Sequence, residues 1–496
     1  MTRSNTLHRA KPEALFDRDA EWDALVAFAG DGRPGAALGV VSGRLRLGKT
    51  YLLQALTSEA GGFYFGAQEA AEAESLRRLG AELAQYTGSA SPAHWRGWED
   101  AVDALLALGE QQPLPVVIDE FPHLVRQSPA LPSAIHRAFQ RIRDTGGGNR
   151  SRLLLCGSTR PMMSRVFSMA SPLRALASLN LTVEPLDFRQ AAEFWGAADA
   201  RLALLVHSVV GGSPAYRRAY VGDDAPRNVG DFDAWICRTV LNPEVPLFHE
   251  ADHLLQEGTQ HWDRDMCHSA LGAVALGFLT EGEVAKYLDT SLADVSRCVA
   301  ALRERELLEA EPDAFRPRVH RLRIAESLVA FEHAVTRPHR SALERDSAAD
   351  IWRRSRSVFE RSVVGPHFAA ICRDWAVRFA AATTFGASPA SASHGSLAQP
   401  PARHETLEAE VVVRGHGKPG ERPLLSVGLA RWNEVMDLHH LEQVRHLLTL
   451  LATRGEDIGL TRPACYSSAG FGPGLRAAEE QGDVVLVDLD RLYHGQ

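Results

Sequence analysis

The chain has 496 residues, of which 45% are hydrophobic and 23% are charged, and its formal net charge is −8. This length predicts roughly two to four domains, because it exceeds the size at which a single hydrophobic core stops growing. The negative charge excludes a protein that coats nucleic acid over its whole surface, although it allows a local basic face.

Neither a membrane nor a secretory route is indicated. The longest apolar runs are far shorter than the roughly 18 residues that span a bilayer. Residues 1–19 carry no apolar stretch after their basic residues, so we expect no secretion signal. The six cysteines lie far apart without a CxxC pair, as expected of buried thiols in a reducing compartment. We predict a cytoplasmic protein with no membrane partner.

Between residues 14 and 190, short apolar runs alternate with helical patterns. Each run is continuous, which is typical of strands buried on both faces of a parallel sheet with helices on either side. This part is therefore predicted to be an α/β domain. The runs are AALGVVSG, GFYFG, PLPVVIDE, RLLLCGS and LNLTVEPL.

The first run leads into a phosphate-binding pattern. Residues 43–50, GRLRLGKT, match GxxxxGK[ST] between a strand and a helix, the context that this pattern requires. Gly43 and Gly48 let backbone N–H groups turn toward an anion, and Lys49 places its ammonium across the β- and γ-phosphates. Thr50 offers a hydroxyl to Mg²⁺. The residues predicted to bind the nucleotide are Gly43, Arg44, Leu45, Arg46, Leu47, Gly48, Lys49, Thr50 and Tyr51.

Lysine is rare in this chain, which makes Lys49 informative. Of the 54 basic residues, four are lysines, and they stand at positions 11, 49, 286 and 418. A planar guanidinium is bulkier than an ammonium and prefers a fork geometry, so it replaces lysine poorly across two phosphates. The chain has kept lysine where that shape matters.

The two following strands end in polar residues that complete a hydrolytic site. PLPVVIDE ends in Asp119 and Glu120, and we expect Asp119 to hold Mg²⁺ and Glu120 to polarise the attacking water. RLLLCGSTR places Ser158 near that water and Arg160 near the γ-phosphate, where a guanidinium stabilises developing charge. A surface arginine at a strand end is the alternative for Arg160.

The chain after residue 190 has a different pattern. Residues 191–255 are predicted to be helical and broken at GGSPAY, a turn that contains Pro214. From Cys267, three helices precede two strands, and the second helix opens with a capping box at Thr280 and Glu283. Val295, Val299 and Leu302 are predicted to form the inner face of the third helix.

These segments together resemble the archaeal-type AAA+ ATPases of the signal-transduction (STAND) branch of P-loop NTPases. The resemblance rests on FDRDAEW at 16–22, the phosphate loop, FYFGAQEA, VVIDEFP, LLLCGSTR, VEPLDFRQAAEFW and GGSPAY, which occur in the family's order. It implies ATP as the nucleotide, a sheet of strand order 5-1-4-3-2, and a contact of Pro214 with the nucleotide base.

The family typically continues with a winged helix-turn-helix and a domain similar to restriction endonucleases. The resemblance thus implies four parts: an α/β ATPase domain at 1–190, a helical lid at 191–260, a winged helix-turn-helix at 261–338 and a small α/β endonuclease-like domain at 339–496. Residues 386–401, GASPASASHGSLAQPP, are predicted to be a flexible loop.

DNA is an open question for the winged helix. Its third helix enters the major groove in DNA-binding relatives, but residues 281–323 carry eight Lys or Arg against nine acids. A duplex-binding module usually has a positive surplus, and here only the wing, FRPRVHRLR, is locally basic. DNA binding and packing against the ATPase are left as equal alternatives.

The endonuclease-like domain has lost part of its metal site. Family members hold Mg²⁺ with acids on one strand and an acid-x-lysine on the next. Here the first strand carries Glu408 and Glu410, but the acid of the second strand is Leu429 and its lysine is Arg431. Leucine offers no oxygen to a hard cation. We predict that this domain folds like a nuclease and does not cut.

The function predicted from the sequence is an ATP-hydrolysing switch that couples nucleotide state to a winged helix and a nuclease-like binding module. One alternative is an ATP-regulated, Mg²⁺-dependent nuclease that uses Glu408, Glu410 and a further acid. Another is a nucleotide-responsive DNA-binding regulator. The partners expected are ATP and Mg²⁺, with DNA, a protein partner or a second copy of the chain as further candidates.

Overall fold

The computed structural model describes residues 10–496 except 147, 159, 170, 257–262, 344, 346, 399–405 and 419–421. The chain forms two compact units. The first contains the chain up to Pro185 together with the short segment Ser213–Ala215, and the second contains Leu186–Gly212 and Tyr216–Gln496.

The first unit alternates strands and helices, as predicted. Its elements are α1 (Asp19–Ala29), β1 (Ala37–Ser42), α2 (Lys49–Ala60), β2 (Phe63–Gly66), α3 (Glu72–Thr87), α4 (Trp98–Ala107), β3 (Leu114–Asp119), α5 (Phe121–Gln127), α6 (Leu131–Asp144), β4 (Ser151–Gly157), α7 (Arg160–Val166) and β5 (Ala177–Thr182).

A five-stranded parallel sheet forms the centre of this unit. Its order is β2-β3-β4-β1-β5, with all neighbouring strands parallel. From the other edge this is the order 5-1-4-3-2, so the predicted parallel α/β sheet and its strand order are confirmed. The inner strands β1, β3 and β4 are buried almost throughout, because an apolar layer covers each face of the sheet.

The prediction of burial on both faces is wrong for β5. Its residues alternate between exposed and partly buried. β5 is the edge strand beside β1, so its outer residues face no neighbouring strand. An apolar run alone does not distinguish such a strand from an inner one.

The second unit is helical in its first half and mixed in its second. Its elements are α8 (Phe188–Trp195), α9 (Ala200–Val210), α10 (Phe232–Arg238), α11 (Pro246–Gln256), α12 (Arg264–Ala275), α13 (Glu281–Tyr287), α14 (Leu292–Glu304), β6 (Leu308–Pro312), β7 (His320–Ile324), α15 (Ser327–Phe331), α16 (Arg340–Leu343), α17 (Ala348–Phe359), α18 (Gly365–Arg378), α19 (Ala382–Phe385), β8 (Pro389–Ala398), β9 (Thr406–Gly415), β10 (Leu424–Arg431), α20 (Leu438–Thr453), β11 (Arg462–Ser467), α21 (Pro473–Glu480), β12 (Val485–Val487) and α22 (Leu489–His494).

Helices α12, α13 and α14 followed by the antiparallel hairpin β6–β7 form the predicted series of three helices and two strands. α13 begins with the predicted capping box. The Thr280 hydroxyl accepts from the N–H of Glu283, whose carboxylate accepts from the N–H of Thr280. Val295, Val299 and Leu302 of α14 are buried, as predicted. The assignment of this series as a winged helix stays a prediction.

A second five-stranded sheet completes the chain. Its order is β12-β11-β10-β9-β8. Strands β10, β11 and β12 are parallel, whereas β8 and β9 run antiparallel to their neighbours. Helices α20 and α21 cover it with an apolar core.

The predicted flexible loop at 386–401 is wrong over most of its length. Pro389–Ala398 is strand β8, paired antiparallel with β9, and residues 399–401 lie outside the described residues. Small residues suit this strand because Phe315 lies against it: a Cβ added to Gly395 would be 2.3 Å from that ring. Pro389 stands at the first position, where the strand tolerates a missing N–H.

Among the residues that the structure describes, the helices are all too short or too polar to cross a bilayer.

Candidate functional site

The phosphate-binding pattern forms the connection between β1 and α2, at the carboxyl end of the first sheet. Gly43 has a φ of 149°, and a Cβ there would lie 2.3 Å from the carbonyl oxygen of Val183. The N–H of Val183 in turn donates to the Ser42 carbonyl at 2.8 Å. Gly43 is therefore required both by its backbone conformation and by the close approach of the segment after β5.

The loop turns twice through the left-handed region before α2 begins. Arg46 has a φ of 65° and Gly48 a φ of 86°, while the side chain of Leu47 between them is buried. A Cβ on Gly48 would meet no heavy atom of the described residues within 4 Å. The space beside Gly48 and the amino end of α2 is thus open to a ligand, and N–H groups at such a turn form an anion-binding concavity.

Lys49 is the first residue of α2, and its side chain is almost fully buried. Its ammonium donates to the carbonyl of Arg44 at 2.6 Å, so it lies across the loop rather than extending into solvent. A buried cation inside a concave loop matches the requirements of a polyphosphate. Tyr51, two residues later, is half exposed.

Asp119 ends β3 and is buried with three hydrogen-bond donors around its carboxylate. The Thr50 hydroxyl donates to Oδ2 at 2.7 Å, and the Tyr64 phenol donates to the same oxygen at 2.9 Å. The N–H of Glu120 donates to Oδ1 at 2.9 Å. Thr50 and Asp119 are 69 positions apart in the sequence, and the structure brings them together as predicted.

This pair fits Mg²⁺. Because the Thr50 proton is given to Asp119, the lone pairs of the hydroxyl remain for a cation, and both residues offer the oxygen donors that Mg²⁺ prefers. The described residues contain no cluster of three or more His, Cys, Asp or Glu side chains able to hold a metal. Mg²⁺ typically uses one or two protein ligands together with phosphate and water.

Glu120 follows Asp119 in the left-handed region, with a φ of 52°. Burial raises the pKa of its carboxyl, and the Asp119 charge acts in the same direction, whereas the Ser158 hydrogen bond and the Lys49 charge oppose them. Ser158 donates its hydroxyl to Oε2 of Glu120. The His123 Nε2 atom lies 3.9 Å from the same oxygen. Ser158 was expected to lie near the attacking water. The structure places its hydroxyl in contact with Glu120, the residue predicted to act as the base.

Arg160 and Pro214 were also predicted to serve this site. The guanidinium of Arg160 forms an ion pair of 2.9 Å with Glu184, and both side chains are about half exposed. The N–H of Ala215, next to Pro214, lies 3.3 Å from the Arg46 carbonyl. This short segment therefore adjoins the phosphate loop, and the roles of Arg160 and Pro214 toward a nucleotide stay predictions.

Sequence reasoning missed Tyr64 and His123. Tyr64 stands in the run FYFG, where Phe63 and Phe65 belong to one apolar layer of the sheet and Tyr64 to the other. A hydroxyl at an alternating strand position beside β3 was the available signal. His123 lies three residues after Glu120, one turn into α5, and helical spacing alone would have placed it near the carboxylate.

The second sheet contains the positions where the resemblance places nuclease ligands. Leu429 of β10 is 2% exposed and belongs to the apolar core, so it supplies no metal ligand. Arg431 pairs with Glu410 of β9 at 2.8 Å, and the N–H of Ala430 donates to the other Glu410 oxygen at 3.2 Å. Donors of this chain thus occupy both oxygens of Glu410.

Glu408, two residues earlier on β9, is also paired. His394 of β8 lies 3.5 Å from one of its oxygens, and Arg321 of β7 donates to the other at 3.2 Å. His394 and then Arg321 lower the pKa of Glu408 to about 2, against the effect of burial. The two acids predicted for a metal site therefore contact three basic side chains.

The basic hairpin β6–β7 is joined to the same sheet. Arg323 pairs with Glu311 at 2.9 Å and also with Glu309 across the hairpin. Between the strands, the N–H of Ala314 donates to the His394 carbonyl of β8 at 2.8 Å. Arg316 donates to Ser396 of β8. The side chains of Arg316, Arg321 and Arg323 are thus engaged by acids or by the neighbouring strand β8.

Comparison with known proteins gives distant similarity. No protein-family model matches the chain. An uncharacterized protein of Methanocaldococcus jannaschii is 25% identical over 313 residues, which are 62% of this chain and 65% of that protein. The match therefore spans just under two thirds of the relative's length.

Several solved structures are partly similar to the chain. A Walker-type ATPase of Pyrococcus abyssi has 18% identity and a TM-score of 0.49, covering 66% of this chain and 97% of its own. The ORC2 protein of Aeropyrum pernix, in complexes with ADPNP and ADP, has 14% identity and a TM-score of 0.43, covering 71% and 97%. Cdc6p of Pyrobaculum aerophilum has 14% identity and a TM-score of 0.35, covering 69% and 99%. The α/β fold of the first unit is established by the strand order and register of this chain itself.

Proposed function

We propose that the chain binds ATP at residues 43–51 and hydrolyses it to ADP and phosphate. The observation that carries the proposal is the 2.7 Å hydrogen bond between Thr50 and the buried carboxylate of Asp119, formed beside a glycine loop that contains a buried lysine. A protein that binds a polyphosphate together with its cation needs a loop that holds the phosphates and a pair of residues that holds the metal, and both are present here.

The residues divide the chemistry among them. Lys49 and the loop N–H groups hold the β- and γ-phosphates. Glu120 accepts a proton from water as the water oxygen bonds to the γ-phosphorus and the bond to the bridging oxygen of ADP breaks. Arg160 is proposed to exchange Glu184 for the γ-phosphate when nucleotide is present. Mg²⁺ held by Thr50 and Asp119 would neutralise charge on the phosphate oxygens.

ATP turnover by the purified chain tests the proposal, with three variants. Lys49→Ala should lose nucleotide binding, and Glu120→Gln should bind nucleotide but hydrolyse it at least about a hundredfold more slowly. Lys286→Ala removes an exposed lysine of α13 and should match the wild type. Unchanged turnover in the first two variants would contradict the proposal.

The second unit is proposed to act as a binding module and not as a nuclease. Leu429 in the core and the Arg431–Glu410 ion pair support this, because a cation would have to displace an arginine and find a further oxygen donor. Incubation with DNA or RNA and Mg²⁺ or Mn²⁺, with and without ATP, should leave the nucleic acid intact. Cleavage that is lost in Glu410→Ala would establish the nuclease alternative.

Hydrolysis is proposed to work as a switch between the two units. The chain leaves the first unit after Pro185, returns for Ser213–Ala215, and leaves it again. The N–H of Ala215 donates a hydrogen bond to the carbonyl of Arg46 in the phosphate loop. A conformational change in that loop would therefore act on Ser213–Ala215, and the residues on both sides of this segment belong to the second unit. Limited proteolysis with ATP, with ADP and without nucleotide should give different patterns of cleavage in the second unit.

A further inference from the structure

The carboxylate of Asp119 has one donor more than the proposed chemistry explains. Thr50 has a role as a metal ligand, and the N–H of Glu120 is fixed by the chain. The third donor, the phenol of Tyr64, lies 2.9 Å from Oδ2 and has no assigned role. It is the donor that the sequence pattern did not reveal.

The fold dictates where this phenol lies. β2 pairs in parallel with β3, with Tyr64 opposite Val117 and Gly66 opposite Asp119, so Tyr64 stands two positions before the level of the carboxylate. Its ring extends along the strand over Gly66: a Cβ added to Gly66 would lie 3.6 Å from Cε1 and 3.7 Å from the phenol oxygen. The long, rigid side chain thus covers the distance to Asp119.

The packing of the ring also holds Tyr64 in place. Its side chain is partly buried and packs against the apolar layer on one face of the first sheet. The phenol is therefore kept beside Asp119 by the packing of the ring as well as by its hydrogen bond to Oδ2.

We propose that Tyr64 is a positioning residue of the metal site, whose phenol fixes Oδ2 of Asp119 so that the carboxylate is oriented before Mg²⁺ arrives with the nucleotide. The inference rests on the proposed function. With two donors on Oδ2 and one on Oδ1, the Asp119 carboxylate cannot rotate without breaking a hydrogen bond. Without Tyr64, the Thr50 hydroxyl would have to orient Oδ2 and bind the cation at the same time. Partners that orient metal ligands typically change metal affinity when they are removed.

Tyr64→Phe tests this by removing one oxygen and leaving the ring. Affinity for a fluorescent ATP analogue is measured in EDTA and across a series of Mg²⁺ concentrations, and thermal unfolding without nucleotide verifies the fold. The affinity of the variant for the analogue in EDTA should equal that of the wild type. The Mg²⁺ concentration that gives half of the maximal change in this affinity should rise roughly tenfold. A role in packing alone would not separate these two measurements.

Tyr86→Phe is the matched control. The Tyr86 phenol donates to the Gly61 carbonyl at 2.7 Å, away from Asp119, so the same chemical change should leave the Mg²⁺ requirement unaltered. Tyr64→Leu, which also removes the hydroxyl and keeps an apolar side chain in the same layer, is the second variant if Tyr64→Phe does not fold. It should raise the Mg²⁺ requirement by a similar factor.

The outcomes separate the two proposals. A wild-type chain that binds no nucleotide in either condition overturns the proposed function itself. A wild type that binds and responds to Mg²⁺, with a Tyr64→Phe variant of identical Mg²⁺ dependence, overturns the role of Tyr64 alone. Equal losses of affinity in EDTA and in Mg²⁺ would also overturn it, since they indicate a general disturbance of the loop.

Discussion

Glu120 has the electrostatic surroundings expected of the proposed general base. Burial raises its pKa, and the Ser158 hydrogen bond is the strongest opposing influence. A base must be ionised to accept a proton. The rate of hydrolysis should therefore be at its maximum above this raised pKa and should fall as the pH decreases through it. The acid limb of the rate profile should therefore lie at higher pH than for an ordinary glutamate.

Ser158→Ala removes the hydrogen bond that lowers this pKa. The acid limb should move to still higher pH, and the rate on that limb should fall by roughly two- to tenfold while the plateau changes less. The measurement is the pH dependence of kcat for ATP hydrolysis, with Ser58→Ala on the exposed face of α2 as the control. A profile that keeps its position in Ser158→Ala would show that the hydroxyl does not act through Glu120.

The residues of the site divide into those a linear pattern reveals and those it does not. Lys49, Thr50 and Asp119 were found because phosphate and cation chemistry restrict residue type and spacing together. Tyr64 was not found, because a tyrosine in a strand is usually explained by packing, and its role depends on which strand is its neighbour. The sequence predicts a phosphate as the partner of Arg160, and this stays a prediction. Its ion pair with Glu184 could not be predicted, because Glu184 follows β5 and is brought to Arg160 by the fold.

A buried arginine in β4 anchors the first sheet. Arg152 is 1% exposed, and its guanidinium donates to three backbone carbonyls of the turn before β1. These are the carbonyls of Asp31 at 3.0 Å, of Gly35 at 2.7 Å and of Arg33 at 2.7 Å. The turn that leads into β1, and through it into the phosphate loop, is therefore fixed by the side chain of an adjacent strand.

Arg152→Ala should destabilise the first unit strongly. It removes the donor of three backbone carbonyls and the volume of a buried side chain, so we expect the free energy of unfolding to fall by about 3 kcal/mol. Thermal unfolding followed by circular dichroism measures this as a lower midpoint. Arg143→Ala, at an exposed position of α6, should leave the midpoint unchanged. Equal midpoints for the two variants would refute the anchoring role.

Elements were predictable where burial produced a strong pattern. The inner strands of the first sheet are long apolar runs, and the capping box at Thr280 marks the start of α13 within one residue. β8 was missed because its small residues imitate a linker, although their size is what the Phe315 ring beside Gly395 requires. β11 was missed because Arg462 and Pro463 open it, a pair more typical of a turn.

Hydrogen bonds within the second unit join the segment at 261–338 to the segment at 339–496. The hairpin β6–β7 is bonded to β8 and β9 through Arg316, Arg321 and Ala314. Acids that would hold a metal in a nuclease instead hold this hairpin and the neighbouring strand. The predicted boundary near residue 338 therefore separates segments that share hydrogen bonds.

This bonding gives a prediction for DNA. If the wing served duplex binding, Arg318→Ala and Arg321→Ala would each weaken it and reduce its salt dependence. Arg321 is paired with Glu408, and residues 281–323 carry no positive surplus, with eight Lys or Arg against nine acids. We therefore expect neither variant to change the retention of a labelled duplex, measured by anisotropy at two salt concentrations, by more than about twofold. Salt-dependent binding that both variants abolish would support the regulator alternative.

The assembly of the chain is a second property at this scale. The AAA+ ATPases that the sequence resembles either form rings or rest as monomers, and Arg160 of the same chain is proposed to serve the γ-phosphate. We predict that the chain needs no neighbour to complete its site, so turnover per chain should be independent of protein concentration. A specific activity that rises with concentration would show that a second copy supplies a residue.

ATP phosphates are proposed to bind the loop ending at Thr50, with Mg²⁺ shared between that hydroxyl and Asp119. Isothermal titration of the wild-type chain with ATP in Mg²⁺, beside Lys49→Ala and Lys286→Ala, decides whether they do. We predict a saturable heat at one site per chain that Lys49→Ala abolishes and Lys286→Ala retains. No heat in the wild type, or equal heat in Lys49→Ala, would contradict the account.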